Sequence, residues 1–352
     1  MIAREDHRNP SDLLRALLLV NEFIQLQQGE NLVQDTNAVR AHTLSHLSRS
    51  TIMLGRTTQT YGSTICDVEA TSCGAERQIK TYVFCMLCLQ TLLVGTEVTV
   101  AVDSSQVLLA RCVSNCTWSR FSDDADETRC RCPEVPTLYE ALRILGNSTT
   151  SPNDLPWLRN ATNIYIIVIH ILYSSHMLTQ LRQSMVLDPR IVLQDTTKPF
   201  IAAVNQCSLA LQDLRVVSDR DCVKTASLSN VDALVSLVRL RQVFDLDILS
   251  ILRLKDPLQS AELALSFPGP QRSLQLIPTL ERCATIMETP AKMGIMLYAR
   301  TQLNLWSLEQ TLATFECTLF LSKWLEIFSL SLDESPATRE FPQCLVWLPR
   351  AG

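Results

Sequence analysis

Glycine is scarce in this chain, with 9 among 352 residues against 15 prolines. Turn-rich β-sandwiches and barrels use glycine for tight reversals, so the shortage disfavours them. Aromatic residues make up only 6%, which speaks against a surface that holds nucleobases mainly by stacking. Charged residues are 19% and hydrophobic ones 47%, a balance that disordered chains do not have. No uninterrupted apolar run has the length of a membrane span. Asn163–Tyr173 is apolar but short, and the longer stretch Tyr82–Val102 is broken by Gln90, Gly95 and Glu97. The first ten residues mix both charges, and no small-residue cleavage site follows the leucine-rich segment after them. A secretory segment is therefore not expected, and the sequons at Asn115, Asn147 and Asn160 carry no weight.

Chemical signatures are missing too. There is no P-loop, dinucleotide fingerprint, nucleophile elbow or kinase motif. His42 and His46 share a helix face, but the glutamate of a zinc-protease motif is absent between them. No pair of carboxylates forms a recognisable acid/base site. The expectation is a protein that is not an enzyme and needs no cofactor.

What the chain does have is leucine and helical periodicity, and the fold class expected is mainly α. Ser11 is placed to cap an amphipathic helix over 11–28. Further helices are expected over 39–54, 75–93 and 106–113, with a short strand or continued helix at 98–102. Pro136 opens a helix that Gly146 stops, and one or two helices follow to Met185. Leu187–Pro199 reads as a boundary between lobes. Beyond it, helices are expected over 200–216, from a capping box at Ser229 and Asp232 to about 254, and from Ala291 to Leu330. The chain accordingly divides into an arm at 1–31, a helical lobe at 32–195, a second at 196–332 and a tail at 333–352.

The thirteen cysteines are an odd number in a long chain. Reduced, mostly buried thiols are the simplest reading. Those at 85, 88, 112, 116, 130 and 132 raise zinc as an alternative, but Cys85 and Cys88 sit among core-type residues. His170 lies in an apolar run and reads as a core histidine, with His176 near the end of that run.

Net charge is −5, yet the sign varies along the chain. Residues 61–176 hold 8 basic and 12 acidic side chains, and residues 177–300 hold 14 and 12. A basic surface is excluded; a local basic groove is not. Its candidates are Arg111, Arg120, Arg182, Arg190, Lys198, Arg253 and Lys255, with Arg239 and Arg241 beside them. Phosphate binding would need several of these to converge.

The densest punctuation lies in Ile251–Leu274. Asp256 and Pro257 suit an N-cap and first helical position, and Ser266–Phe267–Pro268–Gly269–Pro270 ends the helix with Phe267 as an anchor. The order Leu249, Ile251–Leu252–Arg253, Asp256, Ser266–Phe267–Pro268 and Ser273 resembles the C-terminal lobe of bornavirus-type nucleoproteins. That resemblance implies a two-lobed helical fold with terminal arms. It implies single-stranded RNA in the inter-lobe cleft, self-assembly into a nucleocapsid, and a viral phosphoprotein and polymerase as further partners. The location it implies is intracellular, in a virion nucleocapsid or the host nucleus or cytoplasm. Against it, the family's basic segment is replaced by residues 101–121, with only Arg111 and Arg120, as in a diverged or host-integrated copy. The competing expectation is a non-enzymatic helical interaction module, tegument-like or the regulatory region of a larger factor.

Overall fold

The computed structural model describes residues 81–89, 91–92, 107, 109, 136–147, 151–184, 189–218, 222–244, 251, 254, 256–270, 273, 276–294, 296–297 and 307–334. Among these residues the fold is mainly helical, without a strand. Residues 81–89 and 91–92 are helical and, apart from half-buried Tyr82, buried, as expected for the cysteine-bearing segment. The principal helices are α1 (Leu138–Gly146), α2 (Ala161–Ser184), α3 (Pro189–Ser218), α4 (Cys222–Val243), α5 (Pro257–Ser266), α6 (Ile277–Met293) and α7 (Leu308–Glu334). Short 3-10 turns at Pro152–Asp154 and Pro156–Arg159 lead into α2.

Local chemistry explains the starts of several helices. Thr137 and Glu140 form a reciprocal capping box at α1: the Thr137 hydroxyl accepts from the Glu140 amide, and the Glu140 carboxylate accepts from the Thr137 amide. Those bonds hold the exposed Glu140 carboxyl below the usual range. Asp256 accepts from the Leu258 amide and Pro257 occupies the first turn of α5, as the sequence indicates. Ser307 caps α7, accepting from the Gln310 amide.

Packing explains the rest. In α2, Ile164, Ile166, Ile167, Val168, Ile169, Ile171 and Leu172 are all buried. β-branched residues are modest helix formers, so burial rather than propensity holds this helix. Residues 161–180 are long and apolar enough to cross a membrane by length and composition, but here those side chains form the main apolar cluster with residues of α1, α3, α4 and α7. α4 is the hub. It packs against α2, α3, α6 and α7, and Val231, Leu234, Val235, Leu237, Val238 and Leu240 are all buried, so almost every face is covered. A smaller cluster joins Leu240 and Phe244 to Leu276, Cys283, Cys317 and Phe320.

The structure corrects four expectations. The helix expected from Phe200 starts earlier: residues 189–199 are the first turns of α3, which runs across the 195/196 division with Pro199 inside it. Pro199 lies against Gly146, where an added Cβ would come within 3.1 Å of the proline Cβ, and packing of α1 on α3 outweighs the bond the proline cannot donate. Ser229 and Asp232 do not start a helix; they lie inside α4, where Asp232 is an ion-pair partner. Val107 and Leu109 are not helical, and their backbones pair with 136–138. The helices expected from about Ala291 start earlier: α6 already covers Ile277–Met293, and α7 follows from Leu308. The arm helix at 11–28, the helix at 39–54 with His42 and His46, the stretch 98–102 and the tail beyond 334 lie outside the described residues.

His170 confirms its core reading. Its ring packs against Phe84 at 5.7 Å, its Nε2 lies 3.4 Å from the Ser174 hydroxyl, and its buried Nδ1 has no partner. Burial pushes its pKa down from 6.5 to about 4. The unfolded chain takes up this proton near pH 6.5 and the folded chain only near 4. Stability from this site is therefore whole above pH 6.5 and is lost as pH falls toward 4, by up to about 3 kcal/mol. Urea unfolding at neutral and acid pH should show a smaller acid loss in His170→Leu than in the parent.

Candidate functional site

The polar groups of the core converge on α4 and its neighbours. Arg241 holds Glu316 of α7 bidentately: Nε donates to Oε2 at 3.1 Å and an NH2 group to Oε1 at 2.5 Å. Only 2% of the Glu316 side chain is exposed, so this pair is desolvated. Two turns away, Asp232 binds two arginines. Arg215 of α3 reaches Oδ2 at 2.6 Å, and Arg282 of α6 pairs with Oδ1. Arg282 also donates through Nε to the Ser236 hydroxyl at 2.8 Å. Burial lowers the pKa of Arg282, with Arg215 beside it adding to the effect; burial also lowers those of Arg215 and Arg239.

Further ties join α4 to the start of α7. The Ser307 hydroxyl donates to Asn230 Oδ1 at 2.8 Å, and the Gln310 side chain donates through Nε2 to the Ser229 hydroxyl and to Asn230 Oδ1, each at 2.9 Å. Buried Glu309 accepts from Tyr165 of α2 at 2.5 Å. Burial first, then the Glu309 carboxylate, raise the Tyr165 phenol well above its ordinary range.

α5 is fixed by its far end. Lys323 of α7 is buried and donates to the Leu265 carbonyl at 2.5 Å and to Glu326 at 3.0 Å. A cation there also suits the negative end of the helix. Phe267 is half-buried and Pro270 buried, so the corner is a docking point. Gly269 sits directly on α7: an added Cβ would stand 2.1 Å from Ile327 Cδ1 and 2.9 Å from its Cγ1. Gly269→Val should cost about 1–3 kcal/mol by overpacking, measurable by chemical denaturation, while Gln259→Ala on exposed α5 surface should be near neutral.

The expected basic groove is not assembled by these ties. Lys198 is exposed near the start of α3, and Arg182 and Arg190 lie in α2 and α3. Arg111, Arg120, Arg253 and Lys255 lie outside the described residues. Of the cations noted beside them, Arg241 is spent on Glu316, and Arg239 donates to Asn205 and Ser208 of α3. Arg215 and Arg282 carried no local signal, since their acidic partner lies on another helix. Cys85 and Cys88 are buried thiols whose pKa values burial raises, which keeps them protonated. Cys207 is likewise pushed up to about 12. Among the described residues no group of three or more metal-binding side chains occurs. Cys112, Cys116, Cys130 and Cys132 lie outside the described residues.

A family model, that of the fungal transcription factor C-terminal domain, matches residues 245–345. No curated protein and no solved structure matches the chain. The family match covers the stretch Leu249–Ser273 and overturns the resemblance to bornavirus-type nucleoproteins drawn from it. The single-stranded RNA, nucleocapsid assembly, viral phosphoprotein and polymerase partners, and virion location fall with that resemblance. The physical reason is visible in α5. Asp256 is its N-cap and Phe267–Pro268 its stop, so the shared residues are the punctuation of a helical corner and carry no ancestry by themselves.

Proposed function

We propose that this chain is a non-enzymatic regulatory module of a transcription regulator, working in the nucleus through contacts with other proteins. The observation that carries the reading is the family match over 245–345, a span that contains α5, α6 and α7. The polar chemistry supports it. The buried carboxylates of Asp232, Glu309 and Glu316 and the buried ammonium of Lys323 are each engaged by a scaffold partner, as befits groups that set helix positions. Two apolar clusters that share Ile286 as a packing neighbour support an arrangement in two helical bodies with α4 common to both.

The test is a reporter assay with the full chain fused to an unrelated DNA-binding domain. The fusion should raise or lower transcription several-fold relative to the DNA-binding domain alone, and Arg241→Met should abolish the effect. A nuclear, folded fusion that leaves the reporter at the level of the DNA-binding domain alone would refute the regulatory reading.

A further inference from the structure

One surface of α3 is apolar where a solvated helix should be polar. Ile201, Leu209 and Val216 are 39%, 50% and 83% exposed. With about 100° of rotation per residue, they fall within roughly 40° of the direction of Asn205, so they form one ridge along the helix. Asn205 and Gln212 complete the ridge, and both are exposed. Large apolar residues spaced seven and eight apart along an exposed face are the anchors by which one helix receives another.

The two edges of this ridge differ in charge. On the α4 side, Arg239 reaches over to Asn205 and Ser208, and two turns along the same edge stands Arg215. Arg215 and Arg282 share the single carboxylate of Asp232, while Arg239 bonds only neutral groups. The guanidinium groups of Arg215, Arg282 and Arg239 thus have one carboxylate, that of Asp232, among their partners. The Arg215 side chain keeps 44% of its surface exposed. Arg239 and Arg215 are offset by about 10 Å along α3, judged from Ser208, which Arg239 contacts, to Arg215. That is the offset of Leu209 from Val216. On the opposite edge, Asp213 is exposed. Apolar anchors and cations thus repeat in step, which is the complement of a helix with an apolar seam and carboxylates along one side of it.

The geometry points to the α3 ridge, with its Arg239–Arg215 edge, as a docking surface for an acidic amphipathic helix of a partner protein. This surface is one the regulatory reading leaves unassigned, and the inference holds whether or not that reading does. The apolar seam of the partner covers Leu209 and Val216, and its carboxylates, two turns apart, meet Arg239 and Arg215. Charged edges of this kind set orientation and association rate more than affinity.

The test uses the full chain and two fluorescein-labelled helical peptides with the same leucine seam, one flanked by glutamates and one by lysines. Fluorescence anisotropy should show the glutamate peptide binding about tenfold or more tightly than the lysine peptide, with affinity falling as salt rises. Leu209→Glu should weaken the glutamate peptide about tenfold, and Arg239→Gln should weaken it less while flattening the salt dependence. Leu209 is half exposed, so a thermal melt should confirm that the variant remains folded. Equal binding of the two peptides would overturn the proposal. So would binding that ignores Leu209→Glu and Arg239→Gln, or no binding of the glutamate peptide. Sedimentation showing a dimer that Leu209→Glu splits would also overturn it, by assigning the ridge to a second copy of this chain.

Discussion

Replacing Arg241 with methionine should destabilise the fold by about 3–5 kcal/mol, the cost of leaving a buried carboxylate without its partner. The guanidinium has 16% of its side chain exposed and the Glu316 carboxylate 2%, so water cannot replace what the substitution removes. Both carboxylate oxygens accept from Arg241, and Arg241 sits in the last turn of α4 where it ties that helix to the middle of α7. The loss should be much larger than for the exposed pair Lys292–Glu288, where breaking the contact should cost at most about 1 kcal/mol. The double variant Arg241→Met, Glu316→Leu supplies the sharper measurement. A buried pair often yields to apolar residues of similar size without loss, so the double variant should recover most of the stability. Urea unfolding of the parent, both single variants and the double variant gives the coupling between the two residues directly. If Arg241→Met alone melts like the parent, the pair is solvated and the hub description of α4 is wrong.

What the sequence made legible follows from the range of the interactions. The cap at α5 was readable because donor and acceptor lie within two residues of each other; the Thr137–Glu140 box at α1 is as local, but Pro136 beside it drew the reading of the helix start. The buried character of Cys85, Cys88 and α2 was readable because a run of apolar residues has one favourable environment. α3 was misread at its start because proline is a local breaker, and only the contact with α1 shows why the helix continues through Pro199. α6 was missed except at its end. Pro278 stands in its first turn and Pro290 inside it, so local signals point to loops, while Cys283 and Leu280 dock it on α7 and α4. The same limit governs the site. Ser229 and Asp232 have the spacing of a cap, but Asp232 answers to Arg215 and Arg282, which lie on two other helices. Pairings across helices leave no mark at fixed spacing, so Arg239 and Arg241 appeared as members of a basic set when each has its own neighbour.

Expressed alone, residues 245–345 should fail to fold cooperatively, although they are the span that matches the fungal transcription factor C-terminal domain. The cut at 245 removes α4, which ends at Val243, and with it the surface on which α6 and α7 rest. Glu316 loses Arg241, Arg282 loses Asp232 and Ser236, and Ser307 and Gln310 lose Asn230. Glu309 loses Tyr165 of α2. On the apolar side, Phe320 loses Phe244, which lies 5.4 Å away, and Cys317 loses the cover of Leu240. Of the described helices α5, α6 and α7 remain with one face stripped, two carboxylates that were buried, and too little apolar area to offset the entropy of ordering about 100 residues. The full chain should melt in one transition seen alike by near- and far-ultraviolet circular dichroism, whereas the fragment should show a shallow, probe-dependent change. A sharp, coincident transition in the fragment would mean that α5, α6 and α7 hold each other without α4. The ties across residue 244 would then be an interface between two stable bodies, and the stability cost of Arg241→Met should shrink accordingly.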